Sequence, residues 1–453
     1  MKELIITSLL GISVLALEVV KLRKAILPVI LLGLLATIVS CFLDWGMNEN
    51  PFNNNMLLMD NYALSFIGIL SIIAFLWFVV SSESYQGNQS KADLYALVAF
   101  SLCGGMILSS YTNMVMLFLG IEILSIPMYV LAASNKTSLL SNEAGFKYFF
   151  LGAMASAILL FGIALIYGAT GSFDLAEISA AVQNSPNMTY LGAGILMILV
   201  GFAFKVSLAP FHLWAPDVYQ GSPTMVTALM STLVKGAAFA AMFRLFHISF
   251  MNVTEKYEMI FVVLAMLTLI ISNAMAAIQS SVKRMLAYSS ISHAGFMIAS
   301  VMTVGTINAE VLMYYVIVYS ISSLVAFTVL YYVSKMQEGA EDYAAFKGLV
   351  KRNPILAGAL TLALLSMAGI PPLSGFMAKY FIINEVLSSG NVWLAIVMIL
   401  SSAVAVFYYL KVIVAMFTPI ENAGRIVVSD TQKYSMIILS VAMIGLFAVA
   451  AFV

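Results

Sequence analysis

Apolar runs of roughly 20 residues, each long enough to cross the hydrocarbon core of a bilayer as a helix, recur along the whole chain between short polar connections. About fourteen can be read, at 4–20, 25–43, 62–81, 94–110, 113–133, 146–169, 190–213, 222–248, 258–279, 285–304, 309–334, 354–384, 392–417 and 434–453. Lipid offers backbone amides no partners, so only helices or closed barrels span it. These runs are continuous rather than alternating, which selects helices. Composition agrees: 62% of the 453 residues are hydrophobic and 9% are charged, where soluble domains are about half apolar and about a quarter charged. The expected fold class is an all-α polytopic membrane protein.

Charge and cysteine usage narrow the function classes. Lys plus Arg and Asp plus Glu are both 21, and no basic tract exists, so nucleic acid is not an expected partner. Cys41 and Cys103 form no metal pattern or disulfide framework. The first apolar run follows Lys2 and Glu3 and reads as an ordinary span rather than a cleavable signal. Alternate connections carry KLRK at 21–24, Lys91, Lys136, Lys147, Lys283, Arg284, Lys335, Lys347, Lys351, Arg352, Arg425 and Lys433. The opposite set holds little beyond Lys256 and Lys2, with Arg244 near its edge. The positive-inside rule assigns the first set to the cytoplasm and both termini to the outer side.

Four lysines remain inside spans, Lys205, Lys235, Lys379 and Lys411, together with one deep carboxylate, Glu122. A charge at the centre of a membrane helix costs about 2.5–3.5 kcal/mol on insertion scales. Four together approach about 10 kcal/mol, the whole stability of many domains. Lys411 is near a span end and can snorkel to the interface. Lys235 is about a dozen residues into its span and cannot easily do so. Hydroxylated residues share helical faces with these groups: Thr224, Thr227 and Ser231 with Lys235, Ser125 and Tyr129 with Glu122, Ser289 and Ser300 with His293, and Tyr315, Tyr319 and Ser322 on the next span. Single stripes of this kind serve helix packing; several centred on ionisable groups point to proton transfer. His293, an imidazole that ordinarily titrates near neutrality, suits a relay. His212 and His247 read as structural, the former capping a helix break and the latter near the outer interface.

Two spans are interrupted by proline. Pro210 and Pro216 break the seventh, and Gly369, Pro371 and Pro372 the twelfth. Non-helical backbone at membrane depth is tolerated only inside protein or beside water. Both broken spans carry a lysine, Lys205 or Lys379, and paired interruptions in two halves indicate a transporter-like internal repeat. The expected division is 1–90, a three-helix segment; 91–250 and 251–418, the two repeats of helices 4–8 and 9–13; and 419–453, the last helix. Burial favours loss of an ammonium's proton and a neighbouring carboxylate opposes it. A lysine poised between the two exchanges protons; one locked in an ion pair does not. The 82 residues between Glu122 and Lys205 are expected to fold so that these two charges meet as a pair.

The strings GFAFKVSLAPFHLWAPDVYQGSP at 201–223, SVKRMLAYSSISHAGF at 281–296, FLGIEILSIP at 118–127 and AGIPPLSGFMAKYF at 368–381 resemble the antiporter-like, proton-pumping membrane subunits of respiratory complex I (NADH:quinone oxidoreductase). With the span and charge patterns, the resemblance covers essentially the whole chain. It implies fourteen helices, two inverted five-helix repeats, discontinuous helices 7 and 12, and a chain of ionisable groups along the membrane midplane. Within it, Glu122 matches the fifth-helix glutamate, Lys205 its seventh-helix lysine partner, Lys235 the eighth-helix lysine, His293 the tenth-helix histidine and Lys379 the twelfth-helix lysine. Related subunits carry lysine or glutamate at the last position, and lysine selects one branch of the family. The resemblance also implies residence in a bacterial inner membrane beside adjacent antiporter-like subunits. No flavin, iron–sulfur or quinone motif is present, so NAD, FMN, iron–sulfur clusters and quinone are expected in partner subunits and no cofactor in this chain.

Three function classes follow. A redox-driven proton-translocating subunit accounts for the buried lysines. A sodium/proton antiporter subunit, or the membrane subunit of a related hydrogenase or ferredoxin-driven complex, is the alternative; sodium coordination would ask for more carboxylates than Glu122 alone. A passive scaffold would gain stability by losing the lysines.

Overall fold

The computed structural model describes residues 1–47, 56–85, 91–182, 187–251, 254–302, 309–420 and 424–450. The Asn/Pro-rich connection 48–55 and the side chain of Lys256 lie outside the described residues. In chain order the helices are α1 (Lys2–Val19), α2 (Ile26–Leu43), α3 (Asn61–Ser81), α4 (Lys91–Ser110), α5 (Met114–Ala132), α6 (Leu139–Thr170) and α7 (Leu175–Val182). Then come α8 (Met188–Lys205), α9 (Trp214–Gly221), α10 (Thr224–Leu229), α11 (Lys235–Ile248), α12 (Thr254–Ala277), α13 (Val282–Met302) and α14 (Ala309–Met336). The last are α15 (Leu349–Arg352), α16 (Pro354–Ala368), α17 (Ser374–Ser388), α18 (Val392–Phe417) and α19 (Asp430–Val449). Among the described residues, 11 helical segments are long and apolar enough to cross a membrane. The protein is a multi-pass, all-α membrane protein.

Burial sorts these helices into a centre and a rim. The continuous segment α10–α11 is buried all round, and α14 and α4 nearly so. The rim helices α2, α6, α18 and α19 turn large apolar side chains outward, among them Phe146, Phe149, Trp393 and Phe407. That is the inverse of a soluble fold and is what lipid requires. Local chemistry sets several ends. Asp60 Oδ1 accepts from Ala63 N at 2.7 Å to start α3, and Asn353 Oδ1 accepts from Ile355 N and Leu356 N, both at 3.1 Å, with Pro354 opening α16.

The breaks fall at Pro210 and at the Gly369–Pro372 string, whereas Pro216 does not break the chain again but sits in the first turn of α9. α8 stops at Lys205 and the chain resumes as α9; α16 stops at Ala368, where Gly369 takes φ +86°, a left-handed cap that glycine adopts without steric cost. α17 then begins so close to α16 that a Cβ on Gly375 would lie 1.8 Å from Ser366 O. The freed polar groups find partners: Trp214 Nε1 donates to Phe204 O at 3.0 Å, Ala209 N to Thr268 Oγ1 at 2.9 Å, and Gly375 N to Ser366 Oγ at 3.2 Å.

One arrangement occurs twice. The residue before α5, Asn113, bridges to Asp174 after α6, and the residue before α13, Ser281, bridges to Asp342 after α14. In each case the aspartate then caps a short helical turn: Asp174 Oδ1 accepts from Ala176 N at 2.9 Å, and Asp342 Oδ1 from Ala345 N at 3.0 Å. A broken helix follows both times.

Several placements differ from expectation. α6 begins at Leu139, so Lys147 belongs to a helix rather than a connection. Lys283, read as a loop charge, is buried, with Nζ 2.8 Å from Ser222 O and 3.2 Å from Glu341 Oε1. Lys411 is no departure: it lies in α18 near its end and points outward, as snorkelling allows, its ammonium 4.3 Å from the Tyr343 ring centre. The amphipathic helix α7, with Leu175, Ile178 and Val182 buried, was not anticipated.

Candidate functional site

Lys205, Lys235, Lys379 and His293 all lie inside the helix bundle, each at most 6% exposed. Lys205 is the last residue of α8, where the helix breaks. Nζ donates to Ser125 Oγ on α5 at 2.6 Å and lies 5.6 Å from the Tyr148 ring centre on α6. The expected ion pair with Glu122 is not made. Glu122 is one turn from Ser125, close enough for its charge to act on Lys205, yet it forms no direct ion pair among the described residues and its Oε1 has no hydrogen-bond partner. The reason is its place on α5. It falls on the side that also shows Leu119, Ile123 and Ile126, at the edge of the bundle, while Ser125 faces in.

Lys235 opens α11 directly after a π-helical turn, Met230–Val234. Such turns insert a residue into the helix and redirect the side chains that follow. Nζ donates to both Ser290 O and Ser290 Oγ on α13, each at 2.6 Å, and lies 5.9 Å from the Tyr219 ring centre on α9. The hydroxyl stripe read on this span does not serve one path. Thr227 donates to Tyr219 O on α9 at 2.8 Å, and Ser231 meets Ser323 on α14 at 3.0 Å. A helix buried all round has no single inward face, so the stripe fans out to three neighbours.

The stripes of α13 and α14 do meet. His293 Nδ1 is 2.8 Å from Tyr315 OH, and its ring lies 4.6 Å from that of Tyr319. Nε2 is 3.4 Å from Tyr409 OH on α18, which in turn hydrogen-bonds Ser289. A small cavity borders His293, Tyr319, Ser322, Ser366 and Gly375; at ≈ 10 Å³ it matches about one water. A second of the same size lies at Lys205, between Ser125, Tyr129 and Ser156.

Lys379 reaches back from α17 over Gly369 and donates to Ala368 O, the last residue of α16, at 3.1 Å and to Ser402 Oγ on α18 at 3.3 Å. Its Nζ is 4.9 Å from the Phe296 ring centre on α13. The groups therefore form a continuous contact series. Lys205 lies over Tyr148, which stacks on Trp214 at 4.7 Å; Trp214 meets Tyr219 edge-on at 6.2 Å beneath Lys235. Lys235 binds Ser290, three residues before His293 on α13, and Phe296, three residues after, leads to Lys379.

Residues the sequence did not mark complete the site. Ser290, Ser402, Tyr148, Tyr219, Tyr409 and Phe296 are ordinary core types in the sequence and become legible only through tertiary contact. At one end of the bundle Asp217 on α9 bridges Lys147 at 2.9 Å and Arg284 at 2.8 Å, while Lys147 also pairs with Glu143 at 2.7 Å. These residues and Gln220 line a polar cavity of ≈ 130 Å³. Elsewhere Arg244, 2% exposed, holds Asp60 Oδ2 at 2.9 Å and Tyr111 O at 2.8 Å, an anchor between α11 and α3. His212 accepts from Ala215 N through its backbone carbonyl at 2.9 Å, and His247 stacks on Phe243 at 5.5 Å.

Residues 111–405, which hold every one of these midplane groups, match the family model described as NADH:quinone oxidoreductase/Mrp antiporter, transmembrane. The chain belongs to this family. A protein from Flavobacterium psychrophilum named NADH-quinone oxidoreductase subunit N is 43% identical over 425 residues, covering 92% of this chain and 91% of that protein. Among solved structures, a chain of respiratory complex I from Thermus thermophilus, with bound aureothin, superposes with a TM-score of 0.85 at 31% identity, covering 99% of this chain and 97% of that one. A chain of the Mrp complex from Dietzia sp. superposes with a TM-score of 0.88 at 20% identity, over 100% of this chain and 95% of that one, and so shares the fold. The antiporter-like family architecture thus extends over the whole chain, N-terminal helices included.

Proposed function

We propose that this chain is the subunit N type of proton-translocating membrane subunit of a bacterial NADH:quinone oxidoreductase. Protons pass among Glu122, Lys205, Lys235, His293 and Lys379, driven by quinone reduction elsewhere in the complex. The observation that carries this reading is the set of buried lysines, at 6%, 1% and 6% exposure, joined through hydroxyls and rings to one buried histidine. Burying amines without carboxylates costs stability and keeps them able to release a proton. Hydroxyls at 2.6 Å and water-sized cavities supply partners for short proton transfers.

Counting α1, α13 and the α16–α17 pair with the 11 long apolar segments gives fourteen crossings. The twice-occurring bridge, aspartate cap and broken helix support two repeats, 91–250 and 251–418, and the positive-inside asymmetry puts both termini on the periplasmic side. Adjacent antiporter-like subunits flank the chain, and NAD, FMN, iron–sulfur clusters and quinone belong to partner subunits. The test is purification of the native membrane complex, identification of its co-migrating subunits, and proton uptake in proteoliposomes with substrate oxidation followed in parallel. A complex that oxidises substrate with no proton uptake, or a chain that exchanges sodium for protons alone, would overturn the reading.

A further inference from the structure

Lys205, Lys235 and Lys379 appear in none of the ion pairs formed among the described residues. Each ammonium instead lies over an aromatic face, Tyr148, Tyr219 or Phe296. The face of an aromatic ring carries the negative part of its quadrupole and attracts a cation within about 6 Å. A carboxylate does the same more strongly, but it also offers an oxygen that can take the proton. A ring face stabilises the charge and leaves the proton free to move on.

The closest of the three contacts is at Phe296. Its ring centre is 4.9 Å from Lys379 Nζ, against 5.6 and 5.9 Å for the two tyrosines. Phe296 is 1% exposed, so solvent does not screen the contact. It has no hydroxyl, so nothing but the ring can act. An ammonium has three N–H donors; two go to Ala368 O and Ser402 Oγ, leaving one for the ring. Phe296 also stacks against Tyr315 at 6.1 Å, and Tyr315 OH meets His293 Nδ1 at 2.8 Å.

We propose that Phe296 is a positioning residue for proton transfer: its ring face is the counter-charge that holds the Lys379 ammonium at the end of α16, in register with His293. This rests on the reading of Lys379 as a proton-carrying station.

The test uses the complete complex in proteoliposomes, with 4-fluoro-, 3,5-difluoro- and 3,4,5-trifluorophenylalanine placed at 296 in turn. Fluorine draws electron density from the ring face while changing its size little. Proton uptake, measured at matched substrate oxidation, falls stepwise with each added fluorine. Phe296→Leu, which keeps apolar bulk without a ring, falls furthest, by roughly 2- to 30-fold. A flat fluorine series overturns the proposal even if Phe296→Leu is impaired, because that pattern reports packing alone. Lys379→Ala is run in parallel. Loss of pumping there with a flat fluorine series leaves the function standing and removes Phe296; full pumping by Lys379→Ala removes both.

Discussion

Lys235→Met separates the proton from the fold. The ammonium donates two 2.6 Å hydrogen bonds to Ser290, and the side chain is 1% exposed. Its removal leaves buried oxygens short of a donor, a cost of about 1–3 kcal/mol. It also removes a charge whose insertion at membrane depth costs about 2.5–3.5 kcal/mol. Methionine keeps a long, unbranched apolar stem in the same space. The two terms oppose each other, so net stability is expected to change by no more than about 2.5 kcal/mol. The variant should therefore accumulate in the membrane and assemble, with a thermal midpoint close to that of the parent. Proton uptake in proteoliposomes should fall to background. Lys235→Arg supplies the complementary test: it keeps the charge, but guanidinium does not release its proton, so pumping should fail there as well. Full pumping by the arginine variant would show that Lys235 is a static charge and would refute the relay. Collapse of assembly in the methionine variant would refute the cancellation.

Lys379→Ala should depress proton uptake strongly while leaving the amount of purified complex largely unchanged, because the fold gives up only two hydrogen bonds, at 3.1 and 3.3 Å, to Ala368 O and Ser402 Oγ. Gly375→Ala should lower the thermal midpoint, since its Cβ would stand 1.8 Å from Ser366 O and force α16 and α17 apart; overpacking of this kind costs about 1–3 kcal/mol. Arg244→Met should destabilise by about 1–3 kcal/mol, read as loss of assembled complex, because it strips the buried Tyr111 O and the partly exposed Asp60 of their partner. Asp217→Asn should cost less than about 1 kcal/mol in the same assay, its side chain being 39% exposed and its ion pairs screened.

Most of the fold is legible in the chain because membrane helices announce themselves by length. The start of α3 was read one residue late and that of α11's segment two residues early, and Pro210 and the Gly369–Pro372 string located both breaks. The start of α6 is read at 146 rather than Leu139 because SNEAG, at 141–145, is polar enough to pass for a connection, whereas the helix runs from Leu139 and uses Lys147 to hold Asp217. Lys205, Lys235, His293 and Lys379 stood out because charge is rare in such a chain. Their partners did not: Ser290, Ser402 and Phe296 are common types whose role depends on which helix lies opposite. The Glu122–Lys205 pair was inferred from the expense of two unpaired charges. That reasoning did not allow for a carboxylate at the edge of the bundle, with Ser125 taking the ammonium instead.

The placing of lysines at helix breaks has a common electrostatic cause. Carbonyls left over at a helix C-terminus carry a partial negative charge, equivalent to about half an electron. Lys205 is the last residue of α8, and Lys379 donates to the last residue of α16. Lys235, which follows a π-helical turn, is held by the backbone carbonyl and hydroxyl of Ser290. All three interior ammonium groups are thus held by dipoles and rings, neutral partners that attract a cation without competing for its proton. Glu122 is the exception, and it is found at the rim. In the proposed relay this division has a consequence. A carboxylate among the interior stations would trap the proton in an ion pair, while Glu122, at the edge and one turn from Ser125, is the first member of the series and leaves the interior stations free to hand protons along.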